Sequence, residues 1–345
     1  MGRLRLTVIP PNQETLWDAA KTAAQALAVK WISLFALAAG RGSFTSVGLF
    51  TCFVECHCFG SFISTEVSCR MKKILQFVFA FLTLLGSFSA AAASPQEVGV
   101  LILHGKQGMP EGSFSPINKL FDALTSRGYV VSRPEMPWSR KRYLEGHWQQ
   151  AMTEIKTAVD QLRAKGAKKI VIAGHSIGSP AALSYAAQSR DVDGVAMMAP
   201  GHVPLLYSEC LTRIAPISLC AVKESLDEAR SMIASGKGDQ KGRFTDINQG
   251  SRVANFATAN EFMSYFDPTG DAEMSVAAQK LPPRTAVLWI IGSNDALVKL
   301  GKGYVFDSLP QNPKSQYVEI GSNHFRTPMD GLEHIVAWVD SIAAP

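Results

Sequence analysis

Three side chains of the types that can cooperate in nucleophilic catalysis lie far apart in this 345-residue chain: Ser176, Asp295 and His324. A serine hydroxyl is almost unreactive at neutral pH unless a histidine within hydrogen-bond reach accepts its proton. That histidine in turn needs a carboxylate that holds its tautomer and stabilises the imidazolium. The three residues predict a triad in which Ser176 is the nucleophile, His324 the general base and Asp295 the acid that orients the base.

The surroundings of Ser176 favour this role. The serine lies in the pentapeptide GHSIG (174–178), after an apolar run and before an alanine-rich one. The flanking glycines indicate a strand that turns at once into a helix, which strains the serine backbone and exposes its hydroxyl. Backbone amides at a helix N-terminus also favour the negative charge that develops in acyl transfer. The alternative is an ordinary glycine-flanked turn.

From Val98 onward, short β-rich runs alternate with helical patterns. This alternation predicts the α/β class, with a mostly parallel sheet of about six strands and helices on both faces. Ser176 follows the third strand, Asp295 the fifth and His324 the sixth. Sites in open α/β sheets form at the carboxyl ends of the strands, so we expect the three side chains to meet there. The predicted strands are residues 98–103, 129–132, 169–173, 194–199, 285–291 and 316–320.

The interval between the fourth and fifth strands, residues 201–283, is too long for a plain crossover. A connection of this length usually carries structure of its own. It contains a predicted helix at residues 226–235 and several aromatic residues. We therefore expect a cap over the site, with residues 94–345 forming one domain.

These features resemble the α/β-hydrolase superfamily of esterases and lipases. The resemblance depends on the order Ser176, Asp295, His324 and on the segment LHGK (103–106) after the first strand. It extends from residue 98 to the C-terminus. It implies hydrolysis of a small-molecule carboxylic ester through an acyl-enzyme, without a metal or an organic cofactor.

The resemblance also implies an oxyanion hole formed by the backbone amides of Lys106 and Ile177, and a structural role for His104. Two features depart from larger members of the superfamily. The early antiparallel hairpin is missing, and Lys106 and Gln107 stand where some esterases have glycines. Three alternatives stay open: an acyltransferase or thioesterase, a small-peptide hydrolase, and a non-catalytic binding protein with this fold.

Two further residues are candidates for substrate contact. Trp138 lies in a basic loop, residues 137–143, that follows the second strand, and His175 precedes the nucleophile. The loop could bring Trp138 to the wall of a pocket and its cations to an anionic group. Solvated loop charges are the alternative reading of the same residues.

An internal segment has the order of a secretory signal peptide. Residues 71–93 begin with a methionine and two lysines, continue with a short apolar run and end in small residues before Ser94. This order predicts cleavage before Ser94, a periplasmic or secreted protein, and no stable membrane span after cleavage. Residues 1–70 would then be a doubtful leader that precedes the true start at Met71. The alternative is an uncleaved segment 74–93 that tethers the protein to the membrane.

The charge balance and the cysteines extend this prediction. Residues 1–93 hold 8 of the 34 basic and 4 of the 29 acidic residues, which leaves 26 basic and 25 acidic residues. A nearly neutral domain argues against nucleic acid as a partner, because nucleic-acid binding depends on clustered cations. Only Cys210 and Cys220 follow residue 93. In an oxidising compartment this pair predicts a disulfide.

Overall fold

The computed structural model describes residues 94–210 and 217–344. The predicted signal peptide and the leader before it lie outside the described residues. Among the described residues, no helix is long and apolar enough to cross a membrane.

Six parallel strands form the main sheet, as the sequence predicts. Every residue of the first strand is buried, because helices cover both faces of the sheet. The third strand continues to His175, two residues further than predicted. The strands are β1 (Val98–Leu103), β2 (Val130–Ser132), β3 (Lys169–His175), β4 (Gly194–Met198), β7 (Ala286–Gly292) and β8 (Gln316–Ile320), in the spatial order β2-β1-β3-β4-β7-β8.

Helices pack on both faces of this sheet. Alternate residues of β1 enter different cores: Leu101 packs with the helices of one face and Val100 with those of the other. The first face carries α2 (Trp148–Ala164) and α3 (Gly178–Ser189), and the second carries α1 (Asn118–Ser126) and α9 (Leu332–Ala343). A short helix, α8 (Thr327–Asp330), precedes α9. The predicted α/β class is confirmed.

The segment between β4 and β7, which we call the cap, contains more than the predicted helix. Its helices are α4 (Pro204–Glu209), α5 (Lys223–Ala234), α6 (Ala259–Phe266) and α7 (Met274–Lys280). An antiparallel hairpin of β5 (Lys241–Asn248) and β6 (Ser251–Thr258) was not predicted. Gln249 and Gly250 form its two-residue turn, and both have positive φ, at 53° and 78°. Such turns match the twist of hairpin strands, but Asn-Gly is their usual signal.

The predicted disulfide is present. Cys210 and Cys220 are bonded across a sequence separation of 10 residues. The bridge connects the end of α4 to the 3₁₀ helix Ile217–Val222, which leads into α5.

Candidate active site

Ser176 occupies a sharp turn between β3 and α3. Its φ is +54°, a left-handed conformation that non-glycine residues rarely adopt. The flanking glycines permit this turn for steric reasons. A Cβ at Gly174 would lie 2.0 Å from the carbonyl oxygen of Gly178, and a Cβ at Gly178 would lie 2.6 Å from that of Leu103. No side chain fits at either position.

The structure brings the three predicted side chains together. Nε2 of His324 lies 3.0 Å from Oγ of Ser176, and its Nδ1 lies 2.7 Å from Oδ2 of Asp295. Asp295 is buried, and its Oδ1 accepts a hydrogen bond from the amide of Leu297. With Nδ1–H donating to the carboxylate, Nε2 is free to accept the serine proton. This arrangement can activate a nucleophile.

Asp295 and His324 reach each other because the loops after β7 and β8 cross closely. The amide of Asn294 donates to the carbonyl oxygen of Ser322 at 2.9 Å. A Cβ at Gly292 would lie 2.4 Å from the same oxygen, so only glycine permits this approach. The two loops therefore fix the acid and the base relative to each other.

His175 holds the backbone of His324 in place. Its Nε2–H donates to the carbonyl oxygen of His324 at 2.9 Å. Burial, followed by the proximity of the His324 ring, lowers the pKa of His175 to about 3, so its ring stays neutral at pH 7. The side chain also lines a cleft beside Ser176. Its contact with His324 was not predicted.

Trp138 lines neither cavity beside Ser176, so the structure does not place it where the predicted substrate contact requires. The indole is fully buried, and its Nε1–H donates to the carbonyl oxygen of His104 at 2.7 Å. Its ring stacks on Trp148, with 6.3 Å between the centroids. The loop after β2 folds under the His104 loop, which turns the indole into the core. Of the basic residues in this loop, Arg142 pairs with Glu154.

The backbone amides of Lys106 and Ile177 lie beside the serine. Ile177 follows Ser176 directly, and Lys106 follows Gly105, where a Cβ would lie 3.2 Å from Cβ of Ser176. Within the described part of the chain, neither amide donates a hydrogen bond. Both are therefore available to a developing oxyanion.

His104 holds the loop that carries Lys106. Its Nε2 accepts a hydrogen bond from the amide of Met136, and its Nδ1–H donates to the carbonyl oxygen of Gly105. Burial lowers the pKa of His104, so the ring stays neutral. Its contacts are structural, in agreement with the resemblance.

Two cavities meet at Ser176. The cap cavity, of about 460 Å³, is lined from the cap by Val203, Tyr207, Leu219 and Ile247 and from the β7 loop by Ala296 and Leu297. The loop cleft, of about 470 Å³, is lined by Met109, Phe114, Ser115, Arg140 and Phe325, among others. Volumes of this size suit small-molecule ligands. No group of three or more metal-ligating side chains occurs among the described residues.

The family model described as "Protein of unknown function (DUF1749)" matches residues 98–276, just over half of the chain. The chain belongs to this family. No curated protein matches the chain.

Several solved structures are similar. A highly thermostable carboxyl esterase from Bacillus coagulans is 15% identical and covers 72% of this chain and 91% of its own, with a TM-score of 0.51. A monoacylglycerol lipase from Paleococcus ferrophilus is 18% identical, with coverages of 73% and 96% and a TM-score of 0.48. The siderophore hydrolase EstB from Aspergillus fumigatus is 13% identical, with coverages of 72% and 91% and a TM-score of 0.49. The likeness to the Bacillus structure and the order of the sheet show that this chain has the α/β-hydrolase fold.

Proposed function

We propose that this protein is a serine hydrolase that cleaves carboxylic esters of small molecules through an acyl-enzyme. One observation carries the proposal: an unbroken hydrogen-bonded chain runs from Ser176 Oγ through the His324 ring to the buried Asp295 carboxylate. The left-handed backbone of Ser176 adds support, because strain of this kind clusters at functional sites.

Acylation begins with the 3.0 Å contact between Ser176 Oγ and His324 Nε2. The hydroxyl proton moves to Nε2 as Oγ attacks the ester carbonyl carbon, and the carbonyl π electrons move to its oxygen. The amides of Lys106 and Ile177 stabilise that oxyanion, while Asp295 stabilises the imidazolium. When the tetrahedral intermediate collapses, the imidazolium gives its proton to the departing alkoxide. An alcohol leaves, and the acyl group stays on Ser176.

Deacylation repeats these steps with water. His324 takes a proton from the water as its oxygen attacks the acyl carbon. Collapse breaks the bond between the acyl carbon and Oγ, and the imidazolium returns its proton to Oγ. A carboxylic acid leaves, and the free enzyme is restored.

The two cavities support a substrate with two parts. Because both are lined by Ser176, an ester carbonyl at the serine can extend its acyl group into one and its alcohol into the other. Thioesterase, acyltransferase and small-peptide hydrolase activities share the acyl-enzyme and differ in the leaving group or the acceptor. With an ester, the His324 imidazolium supplies the proton that the departing alkoxide needs to leave as an alcohol.

Labelling with a fluorophosphonate probe, followed by peptide mass spectrometry, tests the nucleophile. We expect a single modification at Ser176 and loss of p-nitrophenyl ester hydrolysis in Ser176→Ala. A Ser176→Ala protein that retains the wild-type rate would overturn the proposal. If folded wild-type protein were not labelled, the result would instead favour the alternative of a non-catalytic binding protein with this fold. Comparing matched esters, thioesters and amides, with and without an alcohol acceptor, separates the remaining activities.

We also propose that the protein is exported and that it begins near Ser94. The bond between Cys210 and Cys220 supports this, because structural disulfides persist in oxidising compartments. Mass spectrometry of the N-terminal peptide from a fractionated host provides the test. An N-terminus near residue 94 in the soluble exported fraction is expected. Membrane-bound protein that retains residues 74–93 would support the tethered alternative.

A further inference from the structure

The loop that carries the Lys106 amide is bonded to the cap. Nζ of Lys106 donates to both carboxylate oxygens of Asp246, at 2.7 and 2.9 Å, and to the carbonyl oxygen of Ile247 at 3.3 Å. The side chains are 5% and 0% exposed, so this ion pair is buried. Asp246 belongs to β5 of the cap hairpin, 140 residues away along the chain.

Asp246 is itself held firmly. The hydroxyl of Tyr143 donates to its Oδ2 at 2.8 Å, and the amide of Ile247 donates to its Oδ1 at 2.6 Å. Each carboxylate oxygen therefore has two donors. A buried carboxylate with this many partners has a fixed position, and it fixes the ammonium group bonded to it.

A second bond joins the same two segments. Nδ2 of Asn248, at the end of β5, donates to Oε1 of Gln107 at 2.8 Å. Lys106 and Gln107 are the central residues of a tight turn, closed by a 2.9 Å bond from the Gly108 amide to the Gly105 carbonyl oxygen. Both central side chains of this turn are therefore bonded to the hairpin.

We propose that Asp246 is a positioning residue for catalysis, which holds the Lys106 amide where the oxyanion forms. This inference rests on the proposed function. Asp246 lines neither the cap cavity nor the loop cleft, so it acts through Lys106 and not on the substrate. The cap hairpin is then part of the oxyanion hole's support, and it must stay in place during turnover.

A positioning role and a purely structural role predict different kinetics. Loss of one oxyanion donor lowers kcat by about 100- to 1,000-fold in other serine hydrolases, with little effect on ground-state binding. A donor that is displaced but still present loses only part of this rate contribution, so we expect Asp246→Asn to lower kcat by roughly 10- to 100-fold. A structural role predicts a lower melting temperature with kcat unchanged for the folded fraction.

A transition-state analogue supplies the specific readout. A trifluoromethyl ketone adds to the serine and forms an oxyanion, whereas the matching trifluoromethyl secondary alcohol is neutral and cannot add the serine. In Asp246→Asn, affinity for the ketone should fall by the same factor as kcat/KM, and affinity for the alcohol should change less than about threefold. Equal losses of affinity for ketone and alcohol would overturn the inference.

Glu273→Gln is the matched control. Glu273 is also a fully buried cap carboxylate, and it accepts hydrogen bonds from the amide of Leu205 and the hydroxyl of Tyr304. It has no contact with Lys106 among the described bonds. We expect this variant to lose stability and to keep kcat within about threefold of wild type, unlike Asp246→Asn.

The double variant Lys106→Met/Asp246→Leu separates stability from positioning. Replacing a buried ion pair with apolar side chains often restores stability, and the Lys106 amide remains. The melting temperature should recover while kcat stays as low as in Asp246→Asn. Wild-type kcat in the double variant, or in folded Asp246→Asn, would overturn the inference while Ser176 labelling left the proposed function intact. Failure of Ser176 labelling would remove the proposed function first.

Discussion

His175, the residue before Ser176, donates a hydrogen bond from its Nε2 to the backbone carbonyl oxygen of His324. The strand end that presents Ser176 therefore also sets the position of the proposed base. The end of β3 therefore carries Ser176 and contacts His324, the two residues of the proposed proton transfer, although 148 positions separate them in the chain.

Asp295→Asn tests the orienting carboxylate. An amide at this position would favour the wrong tautomer of His324, so we expect kcat for a p-nitrophenyl ester to fall by about 10⁴-fold with little change in melting temperature. Asp307→Asn is the control, because Asp307 is exposed and lines neither the cap cavity nor the loop cleft. A comparable loss in the control, or activity retained in Asp295→Asn, contradicts the assignment.

Gly201→Ala tests the spacing between nucleophile and base. A Cβ at this position would lie 3.0 Å from both Ser176 Oγ and His324 Cε1, so one or both side chains must shift by a few tenths of an ångström to accept the new methyl group. We expect kcat to fall by about 100-fold while the protein remains folded. The matched control is Gly303→Ala, where a Cβ meets nothing within 4 Å. Full activity in folded Gly201→Ala would show that the site tolerates the displacement.

The neutral state of His175 makes stability depend on pH. Its pKa is about 3 in the folded protein, against 6.5 for an unperturbed histidine, so the unfolded chain binds the extra proton between these values. This contribution to stability is present above pH 6.5 and is lost as pH falls, by up to about 1.4 kcal/mol per pH unit. The free energy of unfolding, measured by urea unfolding at several pH values between 5 and 7, should change less with pH in His175→Gln than in wild type.

His202 serves as a comparison for this measurement. Burial lowers its pKa to about 3 as well, and its Nε2–H donates to the carbonyl oxygen of Tyr265. His202→Gln should reduce the pH dependence of the free energy of unfolding by a similar amount. Only His175→Gln should also lower kcat, because only His175 holds His324 in position. If both variants kept the wild-type pH dependence of the free energy of unfolding, these rings would have to be protonated in the folded protein.

The Cys210–Cys220 bond should stabilise the cap. Closing a loop of about this length contributes roughly 2–3 kcal/mol by restricting the unfolded chain. We expect Cys210→Ser/Cys220→Ser, or wild type with a reductant, to unfold at lower urea concentration. Because Leu219 lines the cap cavity next to Cys220, KM for bulky esters should also rise. The double variant with a reductant is the control and should show no further change.

The central strands of the main sheet could be predicted because they are buried on both faces and consist of nearly continuous apolar runs. The edge strands β2 and β8 are only partly buried. The hairpin of the cap could not be predicted in the same way. Its strands mix charged and apolar residues, and its turn is Gln249-Gly250 rather than Asn-Gly. The alternation of apolar and polar residues in β5 and β6, with a glycine between the two strands, was the sequence signal that could have indicated this hairpin.

Some site residues had no signal in the local sequence. Asp246 contacts Lys106 across 140 positions, and an aspartate in a polar strand indicates nothing about a distant loop. Trp138 shows the opposite error, because an aromatic residue in a loop beside the site can face either the pocket or the core. Only the packing of that loop under His104 decides the direction.

By itself, the sequence determined the α/β class and the chemistry within reach: a serine between glycines, and an aspartate and a histidine each just after a strand. These follow from local rules of strand burial and backbone sterics, which act over a few neighbouring residues. Only the tertiary structure decided the distances among the three side chains and the bonding of the Lys106 loop to the cap. Those depend on how loops far apart in the chain pack together, and no local pattern records that packing.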